Sequence, residues 1–526
     1  MESIRRNYVF QVSYQILNMS LPFITSPYIA RVLGAENLGI YAYTYSIANI
    51  FILFINLGAE KYGIRTIAMV KSDRERLNSV FSELFFIRAI LGTVAILLYL
   101  LGIIMFLDYK KYFVIQGFLL VGAIIDINWF FFGIEKFKIT VTRNFLFKVF
   151  TVCCVFLFVK TKEDLWKYVV IMALGTIISQ SVIWSVVKNY VSIVKIKKSD
   201  LMSHMKPILI LFIAVLAQSA YTYIDKIMIG ALGSMEQLGF CDNAYKIISF
   251  PMGVITSLGV VMLPRMSVLY KFDEKEKAFF YIKESMKFVM IIACGMAAGM
   301  AVVGKEFAII FWGIDFKISG MIVTIISPIV LFMSWSDVVR NQYLIPKKYD
   351  KEYTTAIVIG AVVNIIFNAL LIPFYGAVGA AIGTVLSYLS IAVYQTFATR
   401  KEIPYIYFIK DIIPFLIFSI IMIIGVHLTK GIIGTVSIIG LLIQITVGVL
   451  VYCVLVLVYM ILKKDPFVSN FTRKFLRKHQ IATSVTSSLS NTREVQKFPV
   501  KSNENQEHDF ALSNNKTLGK KSSRGF

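Results

Sequence analysis

Charge is scarce in this chain of 526 residues: Asp, Glu, Lys and Arg together make up 16%, against about 25% in soluble globular proteins. That deficit excludes a soluble enzyme, a disordered chain and a collagen-like fibre. Cysteine and histidine are sparse too, with five and four copies. Cys153, Cys154, Cys241, Cys294 and Cys453 all fall in apolar segments, form no C-x-x-C pair and are odd in number, so neither a disulfide framework nor a zinc site is expected. The histidines, His204, His427, His479 and His508, lack metal-ligand spacing, and no metal or other cofactor is expected. The phosphate loop G-x-x-x-x-G-K-[ST] is missing, which excludes an ATPase of that class. A cleavable signal is missing as well. Arg5 and Arg6 precede an apolar stretch, but Gln11, Gln15 and Asn18 interrupt it and no small-residue cleavage site follows, so the first helix is expected to remain.

What abounds is apolar surface: 57% of residues are hydrophobic and 14% aromatic. Apolar runs of about 20 residues, the length that crosses a bilayer, recur from end to end. They lie at 8–30, 39–60, 80–106, 112–134, 144–159, 165–187, 207–231, 240–263, 286–304, 318–339, 354–374, 377–398, 411–428 and 436–462. The fifth is short, and the tenth has room to extend past Pro346. Strands of a barrel would alternate apolar and polar residues, whereas these runs are apolar all round. The expected fold class is an all-α integral membrane protein with about fourteen transmembrane helices.

The placement of Lys and Arg tests this division, because cationic links collect on the cytoplasmic side. With the N-terminus inside, the inner links and Arg5 and Arg6 hold 27 of these residues and the outer links 8, while 13 lie in the tail after 462. The alternation supports fourteen helices with both termini cytoplasmic. It also accounts for the net charge of +23 as topology plus attraction to anionic lipid, so nucleic-acid binding is unnecessary. The outer links are too short to hold a domain; that between the eleventh and twelfth runs is a residue or two around Tyr375–Gly376. In the tail, Phe467, Phe471 and Phe475 share one helical face, as in a short helix lying on a membrane. Beyond about 482 the composition predicts disorder.

The most informative feature is an internal repeat. Glu36, Leu38, Gly39, Tyr45, Ile47, Arg65, Lys71 and Asp73 match Glu236, Leu238, Gly239, Tyr245, Ile247, Arg265, Lys271 and Asp273, 200 residues on. Asp126, Ile134 and Lys136 match Asp337, Ile345 and Lys347 at an offset of 211. Six helices separate the copies, and six is even, so both enter the membrane in the same orientation as parallel repeats. The expected organisation is a six-helix bundle over 1–200, a second over 201–400, two further helices over 401–462 and a basic, largely disordered cytoplasmic tail over 463–526. Two such bundles around a cavity suit alternating access.

Several stretches resemble a known family: Pro27-Tyr28-Ile29-Ala30-Arg31-Val32-Leu33-Gly34 with Leu38-Gly39-Ile40-Tyr41; Asn56-Leu57-Gly58 with Tyr62-Gly63-Ile64-Arg65; Tyr223 to Gly230, reading YIDKIMIG; and Met262-Leu263-Pro264-Arg265. Over roughly residues 1–462 the chain is similar to bacterial polysaccharide flippases, the polysaccharide-transporter branch of the multidrug/oligosaccharidyl-lipid/polysaccharide exporter superfamily. The tail is not part of the family pattern. The resemblance implies movement of an undecaprenyl-diphosphate-linked oligosaccharide from the inner to the outer leaflet, ahead of polymerisation or attachment to the wall. Membrane lipids, a polysaccharide polymerase and glycosyltransferases are the implied partners.

A charge at a helix centre costs about 2.5–3.5 kcal/mol on insertion scales, so each one needs a reason. For a diphosphate cargo, Arg31, Lys226 and Lys246 are expected in the cavity between bundles, with Arg65 and Arg265, equivalent in the repeat, at its cytoplasmic mouth. Arg88 belongs to the same cation set or pairs with an acid such as Glu83. Asp126, Asp225, Asp242 and Asp337 are candidates for ion coupling or ion pairing; Asp242 and Lys246, four apart, are placed to neutralise each other. Gln11, Gln15 and Asn18 on the first helix, and Gln218, Thr222 and Asp225 on the seventh, form polar stripes that line a wet cavity or bond neighbouring helices. Pro22 and Pro27 favour a bend in the first helix. Most of the aromatics are assigned to lipid and its interfaces. The runner-up functions are a cation-coupled multidrug exporter, which would want an acidic cavity, and a peptidoglycan-precursor flippase of the same superfamily. A membrane glycosyltransferase or polymerase would need catalytic groups on a substantial loop, and the outer links are too short for one.

Overall fold

A helical stretch of 55 residues, α1 (Glu2–Asn56), opens the computed structural model, and a single glycine divides it: Gly34 (φ 76°, ψ 172°) is its one residue with non-helical backbone. The helices that follow are α2 (Ala59–Val70), α3 (Arg74–Phe106), α4 (Lys110–Ile124), α5 (Asn128–Gly133), α6 (Phe137–Phe158) and α7 (Leu165–Val187). Then come α8 (Lys198–Leu232), α9 (Met235–Lys271), α10 (Lys275–Trp312), α11 (Lys317–Ile326) and α12 (Ile329–Val339). The chain ends in α13 (Asp350–Thr399), α14 (Tyr405–Ile433) and α15 (Ile438–Leu462). The structure describes the backbone of residues 2–106, 108–433 and 436–464. The side chains of Gln11, Gln15, Asn18 and Gln218, the surface helix expected at 466–481 and the tail beyond it lie outside the described residues.

Among the described residues, ten helical segments are long and apolar enough to cross a membrane. An eleventh counts if the pair Ile314–Ile326 and Ile329–Leu344, bent by 43°, is one span. The chain is thus an all-helical, multi-span membrane protein. Most of the fourteen expected runs fall largely within one helix; the fourth is divided between α4 and α5 and the tenth between α11 and α12, and two pairs of runs are joined. The first and second share α1, and the eleventh and twelfth share α13. Gly376 (φ 54°, ψ −128°) breaks α13, and its two halves pack as a hairpin. Ser387 Oγ donates to the Gly360 carbonyl at 2.8 Å, and a Cβ on Gly383 would meet Asn368 Oδ1. The turn expected at Tyr375–Gly376 is therefore a single residue. Several helices outrun their apolar runs. The fifth spans 22 residues, Phe137–Phe158, and most of the links expected at 61–79 and 264–285 is helix. Pro27 stands within continuous helix, with the break of α1 at Gly34 instead.

The fourth expected run is split at Ile125–Ile127, and the carbonyls released there are all used. Trp184 Nε1 donates to the Ile125 carbonyl at 2.8 Å, while Trp129 Nε1 and Arg88 Nη1 donate to that of Asp126 at 3.2 and 2.6 Å. Such capture is what a buried break requires. The corresponding region of the repeat is also irregular: Arg340–Leu344 is a π-helical turn. Side chains follow the inverted pattern of a membrane protein. Large apolar residues such as Leu97, Leu157, Ile420 and Ile439 are exposed, whereas Glu83, Arg88, Asp225, Asp337 and Asn368 are buried. Some aromatics lie in the interior. Phe81, Trp129, Phe130 and Phe131 form a buried cluster, with Phe81 edge-on to Phe130 at 5.0 Å between ring centres.

The links at 71–73, 134–136, 188–197, 272–274, 345–349 and 400–404 share one end of the bundle, here the basic end. There Lys347 sits among the rings of Tyr270, Tyr343 and Tyr349, 4.8–5.6 Å from their centres, and pairs with Glu402. Burial alone would raise the Glu402 carboxyl; hydrogen bonds from Lys347, Tyr343 and Tyr349 outweigh it and bring the pKa to about 2.

Candidate functional site

Three charges sit on two adjacent helices. Lys226, on α8, reaches Asp242 Oδ1 on α9 at 2.5 Å, and Lys246, one turn on from Asp242, reaches its Oδ2 at 2.9 Å. Asp242 is 8% exposed, so the carboxylate is shared rather than solvated. Lys246 also donates to Asn243 Oδ1 at 2.9 Å. Two ammonium groups on one carboxylate leave one positive charge in excess, and both lysines line a cavity of about 380 Å³. Thr222, Asp225, Asp242, Tyr245 and Thr384 line the same cavity.

Asp225 and Lys226 point in different directions, as neighbours on a helix must. Asp225 faces α13, accepting from Asn368 Nδ2 at 2.6 Å and Thr384 Oγ1 at 2.9 Å. Tyr245 OH lies 2.7 Å from Thr384 Oγ1. Asn364 Oδ1 accepts from Asn368 Nδ2 at 3.2 Å, and Asn368 Oδ1 is buried without a partner. The surroundings of Asp225 are therefore neutral and rich in oxygen, unlike those of Asp242.

The lining of this cavity comes wholly from α8, α9, α12 and α13 of the second half, not from both bundles as expected, and tyrosines of the first repeat lie near its charges. Tyr41 stacks on Tyr45 at 5.6 Å and meets Tyr168 at 4.8 Å with the rings tilted by 60°. Tyr41 and Tyr168 lie within electrostatic reach of Asp242, and Tyr45 and Tyr223 within reach of Lys226. Nothing in an apolar run marks which aromatic faces a partner, although the spacing of Tyr41 and Tyr45 (i, i+4) does put them on one face.

Other expected site residues stand elsewhere. Arg31 is exposed and donates from Nη2 to the Ile310 carbonyl at 2.7 Å, capping the end of α10. Arg88 is buried. It bonds the Asp126 carbonyl and Asn56, not Glu83. Asp126 Oδ1 accepts from the Asn128 amide at 2.8 Å, and Asp337 pairs with Arg340 beside the π turn. Arg65 and Arg265 are exposed at the basic end and each covers a tyrosine ring, Tyr62 at 5.6 Å and Tyr281 at 4.0 Å. The structure thus brings Lys226, Lys246, Asp225, Asp242 and Thr222 together and leaves Arg31, Arg65, Arg88, Arg265, Asp126 and Asp337 outside that cavity.

At the end opposite the basic one the two repeats are in contact. Trp312 Nε1 donates to Ser26 Oγ at 2.9 Å, Phe23 meets Phe311 edge-on at 6.2 Å, and two glycines allow backbones to touch. A Cβ on Gly39 would lie 1.6 Å from the Met235 carbonyl oxygen, and one on Gly239 would lie 1.9 Å from that of Ala35. These contacts exchange under the 200-residue offset.

At the basic end, His204 of α8 joins α2 and α3. Its Nδ1 is 2.7 Å from Tyr62 OH and its Nε2 is 2.7 Å from Glu83 Oε2; Ser79 Oγ donates to Glu83 Oε1 at 2.6 Å. Lacking metal spacing, His204 gave no sign of this role in the sequence. His204→Ala leaves a buried carboxylate with its hydroxyl donor alone and is expected to cost about 3 kcal/mol. It should appear as a lower unfolding temperature in detergent, partly restored by His204→Gln. An unchanged melting curve would mean the triad is not holding α8.

Comparison with known proteins places this geometry. The chain is 24% identical over 390 residues to a putative O-antigen transporter of Shigella dysenteriae, covering 73% of this chain and 96% of the relative. Its backbone resembles the lipid II flippase MurJ in an inward closed conformation, with a TM-score of 0.72 at 17% identity, over 86% of this chain and 99% of MurJ. An inward-facing multidrug resistance MATE transporter matches less well, with a TM-score of 0.58 at 16% identity, over 74% of this chain and 94% of that one. A family model described as polysaccharide biosynthesis protein matches residues 4–270. That match covers just over half of the sequence, and the chain belongs to this family of polysaccharide transporters, not to a family of enzymes.

Proposed function

We propose that the chain moves an undecaprenyl-diphosphate-linked oligosaccharide from the inner to the outer leaflet of a bacterial cytoplasmic membrane. It would do so by alternating access between a half at 1–200 and a half at 201–400, with fourteen crossings and both termini cytoplasmic. The observation that carries the reading is the Lys226–Asp242–Lys246 group. Its excess cation faces a cavity, and a diphosphate can take the ammonium donors that Asp242 now shares. Tyr41, Tyr45 and Tyr168 offer ring faces to the attached sugars. An apolar cavity of about 520 Å³ runs from Phe23 and Ile247, next to Lys246, to Met422 and Tyr452 on α14 and α15. It has the character needed for the first isoprene units of the lipid.

The contacts between repeats at the end opposite the basic one support a state that receives cargo from the basic side, where Arg65 and Arg265 would meet the headgroup first. An inside-negative potential of 100 mV favours export of a doubly charged diphosphate by about 4–5 kcal/mol. Asp225, in its oxygen-rich pocket, is the group best placed to couple transport to a proton or a monovalent cation. Glycosyltransferases would supply the cargo and a polymerase would consume it. A multidrug exporter would need an acidic cavity, and here two lysines stand beside the two aspartates of the lining. A peptidoglycan-precursor flippase shares the diphosphate chemistry and differs in the sugar.

The test is reconstitution of the full chain in vesicles with a polyprenyl-diphosphate disaccharide carrying a fluorescent sugar. Dithionite, which cannot cross the bilayer, is expected to bleach the inner-leaflet pool far faster than in protein-free vesicles. Transport of a cationic dye with none of the lipid-linked sugar would favour the exporter instead.

A further inference from the structure

Another hollow, of about 410 Å³ and lined by apolar residues with a cluster of polar ones, lies within the first half between α1, α6 and α7. Arg143 is buried beside it, 7% exposed. Its guanidinium donates to Asn128 Oδ1 at 2.8 Å, to Asn144 Oδ1 at 2.5 Å and to Gln180 Oε1 at 3.1 Å. Asn128, Asn144 and Gln180 all line the hollow. A guanidinium only donates, so it fixes the oxygen of each carboxamide toward itself and turns each NH2 group away. Lys148 adds an ammonium to the lining, which contains no carboxylate. Thr151 and Thr176 give their hydroxyl protons to the Phe147 and Met172 carbonyls and so face the hollow as acceptors.

The hollow is therefore rich in donors and positive in potential, with a few acceptors for hydroxyl groups. It approaches the cavity of Lys226 and Lys246 through one ring contact: Tyr168 lines the hollow and packs at a tilt against Tyr41, which lies within electrostatic reach of Asp242. Its volume is in the range of small-molecule sites and suits one or two sugar rings.

We infer that this hollow is a sugar subsite that selects a carboxylate-bearing ring, a uronic acid, in the glycan whose diphosphate rests on Lys226 and Lys246. The inference rests on the flippase reading above. Gln180, Asn144, Asn128 and Lys148 bind the carboxylate; Arg143 is a positioning residue that orients the three amides.

The experiment uses the full chain in lipid nanodiscs and three probes: a bare polyprenyl diphosphate, and two polyprenyl-diphosphate disaccharides that differ only in a distal glucose or glucuronate. The wild type is expected to favour the glucuronate probe by about tenfold or more. Gln180→Glu keeps an oxygen for Arg143 but replaces the NH2 donor with negative charge, and should bring the preference to about one or reverse it; Lys148→Ala should reduce it. The readout is a ratio of affinities, so a general loss of binding does not imitate the effect. Equal affinity in the wild type, or a preference that survives both substitutions, would overturn the subsite while leaving the diphosphate reading intact. Failure of the bare diphosphate to bind would overturn that reading and take the subsite with it.

Discussion

Vesicles carrying Gly39→Ala or Gly239→Ala are expected to translocate almost nothing. The added methyl group would sit 1.6 or 1.9 Å from a carbonyl oxygen of the other repeat, and both partners are backbone, so no rotamer change relieves the clash. Overpacking in a well-packed interior costs about 1–3 kcal/mol, and here the upper end applies because two helices must separate. A bias of about 3 kcal/mol shifts a two-state equilibrium roughly 150-fold, enough to hold the repeats apart at that end. A cysteine placed at Thr222, in the cavity of Lys226 and Lys246, would report the change. A membrane-impermeant maleimide should label it from the face opposite the basic end in the glycine variants and hardly at all in the parent. Gly102→Ala is the control, since nothing lies within 4 Å of its added Cβ. Normal transport in both variants would show that the reciprocal contact is not needed.

The second large effect is expected from Lys226→Ala. A hydrogen bond to a charged group contributes about 1.5–3 kcal/mol, or about 10- to 100-fold in affinity. Lys226 is the more enclosed of the two lysines. Its loss also removes the excess charge, because Asp242 then pairs with Lys246 alone. Binding of the bare polyprenyl diphosphate should fall by that factor. Lys246→Ala should cost less, and the double variant should show no measurable binding. Lys71→Ala is the comparison, because the exposed Lys71–Glu135 pair contributes little. If Lys226→Ala binds and translocates as the parent does, the diphosphate rests elsewhere.

The contrast between legible and illegible residues has a physical cause. Charges inside apolar runs stand out, so Lys226, Lys246, Asp225 and Asp242 were visible from the sequence, and their spacing on adjacent helices matched one cavity. Arg31 and Arg88 were equally visible, but their partners are the Ile310 and Asp126 carbonyls, and a backbone oxygen leaves no mark in a sequence. Tyr41, Tyr45 and Tyr168 were silent for another reason: in a segment apolar on all sides, an aromatic facing a cavity and one facing lipid look alike. Helix positions followed from apolar length. Their ends did not, because the polar residues past each run stay helical when a neighbour satisfies them, as Lys162 does for Asn37 through its carbonyl.

The single-residue turns at Gly34 and Gly376, and the two-residue link at Gly233–Ser234, carry a practical consequence. A protease must draw several residues of extended chain into its active site. At these turns it would find almost none, whereas the basic end presents the non-helical stretch at 191–197. Limited digestion of sealed vesicles should therefore spare these three turns and cut at 191–197 only when the protease has access to the basic end, giving an assay of sidedness with no engineered tag.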